Sequence, residues 1–327
     1  MGRPDLASGD IVRFLISLIA LLSIASPAAF AQQGRWETAA RLDTPRAGLA
    51  VTMHDGRLYA AGGAGLTVPR AEFESYDPEL DRWFPETSLP RGLEQFGIAS
   101  VSGRIYVAGG YAQDEQGFVA PSAGMWSWSM DGNIWQSEVA MPAAKAAMSL
   151  VAVGGRLYAI GGIRDDGEVF AFDPEAREWE TLEAPDGITR RGAAVVAVDG
   201  RIHVIGGTGP AGASAQHDIF DPDAGVWTRA TDLPAPATGL AAAVHDGRIH
   251  VFGGRAADGR TTLQTHLSWA PSDMEWRAEA DLPAPRTGAD AAVLADSIYL
   301  VGGGTGGGFF APFTAMDTTD VFVDAAN

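Results

Sequence analysis

A seven-residue segment occurs six times in this chain and limits its fold more than any other feature. Residues 57–63 read RLYAAGG, and close variants of this segment recur throughout the chain. The first glycine of each Gly-Gly pair is Gly62, Gly109, Gly161, Gly206, Gly253 or Gly302. Successive members of this series are 47, 52, 45, 47 and 49 residues apart. A period of roughly 40–50 residues built on short strands is typical of a propeller array, so the sequence predicts one domain of six units.

Each unit has the pattern of a small antiparallel sheet. In the first unit, strands A to D are predicted at residues 46–53, 57–61, 72–76 and 83–89. Alternating small and apolar residues indicate strand A, and Asp55-Gly56 suits the tight turn that follows it. The same spacing predicts six blades at residues 46–89, 93–141, 145–184, 190–233, 237–282 and 286–327, the last joined by residues 35–42.

Two aromatic positions repeat with the units and predict how the ring closes. One column holds Trp83, Trp135, Trp179, Trp227, Trp276 and Trp36. Seven residues before each of the first five is another aromatic residue, and Phe322 occupies that position in the last unit. We expect these residues to pack between adjacent sheets. Because residues 35–42 resemble a strand D and the chain after Phe322 has none, the N-terminal strand is predicted to complete the last blade.

The combined pattern resembles the kelch repeat. Its elements are Asp-Gly before an arginine, an aromatic residue two positions after that arginine, the Gly-Gly pair, Tyr76-Asp77-Pro78 and the late tryptophan. The resemblance covers residues 32–327 and implies an all-β, six-bladed kelch β-propeller with four-stranded blades. At the level of the fold it includes N-acetylneuraminate epimerase, a secreted mutarotase. It also includes the galactose oxidase-like propellers, whose thioether-linked cofactor is excluded here because the sequence has no cysteine.

Residues 1–31 are expected to be a signal peptide rather than part of the propeller. Arg3 and Arg13 precede an apolar run from Phe14 to Ile24, and a small-x-small motif ends at Ala31. This order is typical of a secretory signal cleaved after Ala31. The sequence therefore predicts a periplasmic or secreted monomer that is not held at the membrane after cleavage; the alternative is that the segment is retained as a membrane anchor.

The charge of the chain limits its partners. The formal net charge is −18, whereas nucleic-acid affinity comes largely from lysine and arginine contacts with phosphates. Nucleic acid is therefore an unsuitable partner. The histidines show no spacing typical of a metal site: His203 and His250 occupy the Tyr59 column, and His217 and His266 begin strand C. We expect neither a metal nor a cofactor.

Chain geometry places any binding site on one face of the ring. Strands A and B are antiparallel neighbours, so the D–A connections and the B–C loops share a face. The A–B turns are short, whereas the B–C loops vary in length and composition. Because irregular loops on a rigid scaffold are where binding residues concentrate, we expect a site on the B–C loop face, at the mouth of the central channel.

Eight residues on that face are candidate ligand contacts. Four cations occupy positions eleven residues before the Arg57 column, and the others lie in the loops or near the starts of the A strands. The candidates are Arg46, Lys145, Arg190, Arg286, Gln95, Asp290, Tyr111 and Phe309. The cations could form a basic funnel for a carboxylate, or they could pair with loop acids and hold the blades together. Phe309 lies in a loop that could cover a ligand or fold back onto the ring.

Two functions fit these features. The first is an exported, non-catalytic binding module for a protein or a small anionic or carbohydrate ligand. The second is a sugar-modifying enzyme of the sialic acid epimerase or mutarotase type. No catalytic residue of that family can be matched in this sequence. The two hypotheses differ in whether a bound sugar is turned over.

Overall fold

The computed structural model describes residue 2 and residues 34–163 and 168–324. Apart from Gly2, the expected signal peptide lies outside the described residues. Gly34 and the residues after it belong to one compact unit. Within the described residues, no helix has the length and apolar character needed to cross a membrane.

Six four-stranded antiparallel sheets form the blades, and strand A is innermost in each. Their strands, in the order A to D, are Ala50–His54, Arg57–Ala61, Phe73–Asp77 and Arg82–Pro85 in blade 1; Gly97–Val101, Arg104–Ala108, Met125–Ser129 and Ile134–Ser137 in blade 2; Met148–Val153, Arg156–Gly161, Glu168–Asp173 and Glu178–Glu183 in blade 3; Ala194–Val198, Arg201–Ile205, His217–Asp221 and Val226–Arg229 in blade 4; Ala241–His245, Arg248–Phe252, His266–Trp269 and Arg277–Ala278 in blade 5; and Thr287–Leu294, Ser297–Gly304, Thr319–Val323 and Arg35–Ala39 in blade 6.

The B–C loops and the D–A connection of blade 5 contain shorter elements on one face. Two-residue and three-residue ribbons pair Tyr111–Gln113 with Val119–Pro121, Thr208–Gly209 with Gly212–Ala213, and Ala237–Thr238 with Arg255–Ala256. A 3₁₀ helix spans Gly308–Phe313 in the loop of blade 6.

The six-bladed ring and its closure are confirmed. Arg35–Ala39 pairs with Thr319–Val323, and Trp36 lies opposite Phe322 with ring centroids 5.3 Å apart. Blade 6 therefore takes three strands from the end of the described chain and one from its beginning. Its strand A contacts the A strands of blade 1 and blade 5, which completes the circle of contacts.

The repeated tryptophans link neighbouring blades. The indole N–H of Trp83 donates to Ala40 O of blade 6, and that of Trp135 donates to Thr87 O of blade 1. Trp179, Trp276 and Trp36 make the equivalent bond to the preceding blade. Five of the six indoles thus join two sheets through a hydrogen bond, whereas the buried N–H of Trp227 has no acceptor among the described residues.

The Gly-Gly pairs form the joints between blades. The second glycine donates its N–H to a carbonyl of the next blade, as Gly63 does to Leu93 O at 2.8 Å and Gly303 does to Arg46 O at 2.9 Å. The first glycine lies so close to the same carbonyl that a Cβ atom would clash. At Gly62 the separation would be 2.4 Å and at Gly253 2.3 Å, and both have positive φ. A side chain at this position would therefore push two blades apart.

A second ring of backbone hydrogen bonds surrounds the channel mouth. One residue per blade, immediately before strand A or at its start, donates its N–H to the equivalent carbonyl of the preceding blade, over 2.7 to 3.3 Å. These residues are Gly48, Gln95, Ala147, Gly192, Gly239 and Gly288, and all have positive φ. The ring fixes the diameter of the mouth and places Gln95, its only polar side chain, on the rim.

Blades 4 and 5 each contain a buried histidine pair. His203 Nδ1 lies 2.8 Å from His217 Nε2, and His250 Nδ1 lies 2.9 Å from His266 Nε2. Burial lowers the pKa of His203 and His250 to about 4, and it lowers the pKa of His217 and His266 to about 3. Both pairs are therefore neutral in the folded protein at pH 7.

We expect these pairs to make the fold sensitive to acid. The pKa values of these histidines in the folded protein lie below the ordinary value of about 6.5. As the pH falls, the unfolded chain therefore binds more protons than the folded protein, which lowers the free energy of unfolding. The stabilisation is complete above about pH 6.5 and is lost towards the folded values. By pH 5 the loss is about 2 kcal/mol for each histidine. Urea unfolding at pH 8, 6.5 and 5 measures this loss of unfolding free energy.

Blade 1 supplies the matched control, because Tyr59 and Phe73 occupy the positions of His250 and His266. The double variant His250→Tyr/His266→Phe should lose about 2–4 kcal/mol less than the wild type between pH 8 and pH 5. Equal losses in the two proteins would contradict this account, whatever their stability at pH 8.

Candidate functional site

A cavity of about 270 Å³ opens at the mouth of the ring. Its walls come from the D–A connections, such as Gly48 and Gly192, and from the B–C loops, such as Ala64 and Gly307. The two kinds of segment therefore share a face. Phe96, Ser149 and Asp290 also line a second cavity of about 350 Å³ formed by the A strands. The mouth cavity and the channel cavity are therefore adjacent.

Asp290 stands where the two cavities meet. It belongs to strand A of blade 6, and the register of the A–B hairpins aligns it with Ala50, Gly97, Ser149, Ala194 and Ala241. Asp290 is the one carboxylate in a ring of small residues. Its Oδ2 accepts the N–H of Val51 at 2.7 Å, across the boundary between blades 6 and 1.

The fold does not require this carboxylate. The N–H groups equivalent to that of Val51 belong to Ile98, Leu150, Val195 and Ala242 in blades 2 to 5. None of these four donates to a side chain within the described residues. A group that the scaffold omits at equivalent positions is a candidate for function.

The environment of Asp290 changes its proton affinity. Desolvation raises the pKa of Asp290 to about 7, although the N–H groups of Val51 and Ala291 favour the ionised form. A carboxyl group with this pKa can donate or accept a proton near neutral pH. Perturbed carboxyl groups in cavities are concentrated at functional sites.

Arg255 is the other charged residue of the mouth cavity, and sequence analysis did not identify it. It begins the short strand that pairs with Ala237–Thr238. The guanidinium packs against the loop of blade 6, where a Cβ atom on Gly307 would lie 1.7 Å from Arg255 Nη2. Its side chain forms no hydrogen bond or ion pair with the described residues, and Arg255 Nε is buried without an acceptor.

The four cations of the expected funnel lie elsewhere. Each A strand begins one to four residues later than the sequence pattern suggested, so these cations precede the strand instead of opening it. Their side chains are at most 2% exposed, and none of them lines the mouth cavity or the channel; they are Arg46, Lys145, Arg190 and Arg286. A ligand in the cavity would not reach them.

The three arginines bind acids of their own blades. Arg190 Nη1 lies 2.8 Å from Asp218 Oδ2, and Arg286 is paired in the same way with Asp320. Arg46 is paired with Glu74 and donates to Gly62 O, the first glycine of a Gly-Gly pair. This geometry corresponds to the alternative in which the cations hold the blades together.

Comparison of the six blades supports the same assignment. Where the cation position holds arginine, the opposite position on strand C holds an acid. In blade 3, Lys145 Nζ lies 4.7 Å from the centroid of the Phe170 ring and donates to Glu168 O. Leu93 and Ala237 fill the cation position in blades 2 and 5, where strand C provides Trp126 and Leu267. In five of the six blades, arginine is thus matched with an acid and an apolar residue with an apolar residue.

The remaining candidates divide between rim and periphery. Gln95 is exposed and lines the cavity. Tyr111 is half-buried, pairs through its backbone with Glu94, and does not line the cavity. Phe309 lies in the 3₁₀ helix, and its side chain is not among those that the structure describes. In the same helix, Ala311 packs against Ala47 and Ala64, so this loop does fold back onto the ring.

The described residues contain no group of three or more metal-ligating side chains close enough to hold an ion. The cavity wall carries the carboxyl group of Asp290, the guanidinium of Arg255, the amide of Gln95 and the hydroxyls of Ser149, Thr238 and Thr287. These groups can bind a polar ligand through hydrogen bonds and charge, and Asp290 can exchange a proton with it.

Comparison with known families identifies kelch repeats in most of the chain. The model described as the KLHDC2/KLHL20/DRC7 Kelch-repeats domain matches residues 147–322, and the Kelch motif matches residues 45–90. Together these matches include parts of blades 1, 3, 4, 5 and 6.

Curated relatives share the repeats over part of their length. Kelch-like protein 35 of Mus musculus is 30% identical over 175 residues, which are 52% of this chain and 28% of that protein. Kelch-like protein 23 of Homo sapiens is 29% identical over 57% of this chain and 33% of its own length. The F-box/kelch-repeat protein At5g26960 of Arabidopsis thaliana is 29% identical over 61% of this chain and 56% of its own. The chain thus spans about a third of the length of the first two.

A solved structure described as "Structure of YjhT" has a similar fold. The TM-score is 0.75 at 16% sequence identity, and the match covers 88% of this chain and 97% of that one. At this identity the similarity concerns the fold alone.

The buried ion pairs give a direct test of the structural role of the arginines. Arg286→Leu leaves Asp320 buried without its cation and should cost about 3–5 kcal/mol of unfolding free energy. Arg286→Leu/Asp320→Leu reproduces the apolar pairing of blades 2 and 5 and should recover most of that loss. Urea denaturation of these two variants, of Asp320→Leu and of the wild type forms a double-mutant cycle. If Arg286→Leu were as stable as the wild type, the structural role of this arginine would be contradicted.

Proposed function

The chain belongs to the kelch-repeat family, and on that premise we propose that it is a binding module whose B–C loop face takes a protein or a small ligand. The anionic group of the partner contacts Arg255 at the mouth of the ring. The observation that supports this proposal is the environment of Arg255. This arginine lies in a cavity, and its N–H groups have no acceptor among the described residues.

A guanidinium in this condition favours a ligand. Arginine presents five N–H donors in a planar fork that matches a carboxylate. Leaving the buried Nε donor of Arg255 without an acceptor is unfavourable. The chain has a formal net charge of −18, so a mouth that exposes a cation differs in the sign of its charge from the protein as a whole.

Apolar side chains on the neighbouring loops support a protein partner. Leu66, Phe118, Phe310 and Phe313 are between 62% and 71% exposed, and they belong to the B–C loops of blades 6, 1 and 2. These three blades are consecutive in the ring. Large apolar side chains around a polar pocket are typical of protein interaction surfaces.

Asp290 favours a second candidate function, a sugar-modifying enzyme of the epimerase or mutarotase type. Anomer exchange needs a group that moves a proton to or from a sugar hydroxyl. A carboxyl group with a pKa of about 7 in a cavity is suited to that step. The alternative therefore predicts turnover, and the binding module predicts binding alone.

One NMR experiment separates these possibilities. The probes are N-acetylneuraminate and an acetylated, amidated tetrapeptide of glutamate, each titrated by saturation-transfer difference. We expect at least one probe to bind, with a loss of about tenfold or more in Arg255→Glu because a buried or half-buried charge pair is removed. Exchange between the sugar anomers is followed in the same samples.

Arg82→Glu is the matched control, because Arg82 is exposed at the C–D turn on the opposite face. It should leave binding unchanged. Binding that is indifferent to Arg255 would overturn the proposed site. Accelerated anomer exchange that disappears in Asp290→Asn would establish the enzyme, whereas a bound sugar without accelerated exchange would exclude it.

Export of a monomer is part of the proposal. It is supported by the charged start, the apolar run from Phe14 to Ile24 and the motif ending at Ala31. We expect a mature chain that begins at Gln32 and has the mass of one copy in light scattering. Intact-mass measurement of the protein from its native host checks the cleavage. An uncleaved chain or a larger assembly would contradict this part.

A further inference from the structure

The mouth cavity contains a cationic and an acidic side chain that do not meet. Among the described residues that line it, Arg255 and Asp290 are the only ones with ionisable side chains. No ion pair joins them to each other or to another described residue. Asp290 accepts only backbone N–H groups, from Val51 and Ala291. Opposite charges that share a protein cavity are normally paired, because isolated charges are costly to desolvate.

Rigid backbone holds the two charges apart. Arg255 is fixed by the pairing of Thr238 with Arg255 in blade 5, and its guanidinium is packed against Gly307. Asp290 lies within a strand of blade 6, where it and both of its neighbours are paired with the adjacent strand. Strand pairing therefore fixes the backbone positions of both residues. The unpaired arrangement is therefore a preorganised feature of the site.

The wall between the charges is mostly apolar. Ala147, Met148, Ala193, Leu240 and Ala289 line the cavity together with glycines. Two of its four neutral polar side chains bond to backbone carbonyls, Thr238 to Arg191 O and Thr287 to Gly239 O. The cavity thus offers a cation at one point, an anion at another, and a hydrocarbon surface along much of the wall.

We propose that the mouth cavity binds a small zwitterion, with its carboxylate on Arg255, its ammonium on Asp290 and its methylene groups on the apolar wall. Such a ligand compensates both charges at once and leaves neither side chain unpaired. The inference rests on the proposed function, because it assumes that the mouth is the binding site. It adds the chemical class of the ligand.

The size of the cavity limits the ligand to a small molecule. About 270 Å³ is close to the lower end of the range of ~300–1,000 Å³ found for small-molecule sites. A free amino acid or a similar compound fits this volume, whereas a folded peptide segment does not.

The test uses unbranched ω-amino acids from glycine to 6-aminohexanoate, titrated by calorimetry. Their increasing length measures the separation of the two charged groups. Each is compared with the monoacid and the monoamine of the same chain length, for example pentanoate and pentylamine for 5-aminopentanoate. We expect one length to bind at least tenfold more tightly than both of its single-charge analogues.

Two variants test which residue binds the ammonium group and which binds the carboxylate group of the zwitterion. Asp290→Ala introduces the residue that blades 1, 4 and 5 carry at this register position, so the fold should tolerate it. It should reduce the affinity of the best zwitterion to that of the monoacid. Arg255→Gln should reduce it to that of the monoamine. Arg191→Gln is the control, because Arg191 lies on the same face but outside this cavity.

The outcomes separate this inference from the function on which it rests. Monoacids that bind through Arg255 as tightly as the zwitterions would overturn the zwitterion proposal and leave the binding module intact. Equal affinity in the wild type and Asp290→Ala would do the same. Absence of binding throughout the series would also overturn the proposal, while the sugar-acid and glutamate probes test the binding module separately.

Discussion

The hydrogen bond from each Gly-Gly pair to the next blade is the interaction on which the ring depends. The bond occurs at all six joints, with N···O distances of 2.8 to 3.4 Å. It brings the first glycine within 2.3 to 2.7 Å of the accepting carbonyl, measured from the position a Cβ atom would take. No other residue fits there without separating the blades. The repeated glycines are thus explained by contact between sheets, and the channel diameter follows from the same contact.

The buried arginines extend these joints. Arg46, Arg190 and Arg286 donate to the first glycine carbonyl of their own blade, while their backbone carbonyls accept from the preceding blade. Each arginine therefore stabilises both sides of one joint. The same column tolerates leucine and alanine where the facing residue is apolar, which is expected if buried ion pairs and apolar contacts are interchangeable only as pairs.

Spacing in the sequence was sufficient to predict the six blades and the pairing of Trp36 with Phe322, because both follow from the repeat. It also placed Asp290 near the start of an A strand, where the structure finds it in the cavity wall. The burial of Arg46 and the equivalent cations could not be predicted from spacing. A cation that precedes a strand has the same sequence pattern whether its side chain is exposed or is buried in an ion pair beneath the mouth. Arg255 was missed because it lies in an irregular loop. Its position depends on pairing with Thr238, which no periodic pattern reveals.

The site is formed where the repeat is broken. Five blades carry alanine, glycine or serine where blade 6 carries Asp290, and four carry glycine where blade 2 carries Gln95. Neither substitution improves the ring, since the other blades form the same joints without it. Asp290 in addition carries a desolvation cost that the N–H groups of Val51 and Ala291 only partly offset. In a structure built from equivalent units, a residue that one unit alone carries at a cost to stability points to a role outside folding, and Asp290 and Arg255 face the same cavity.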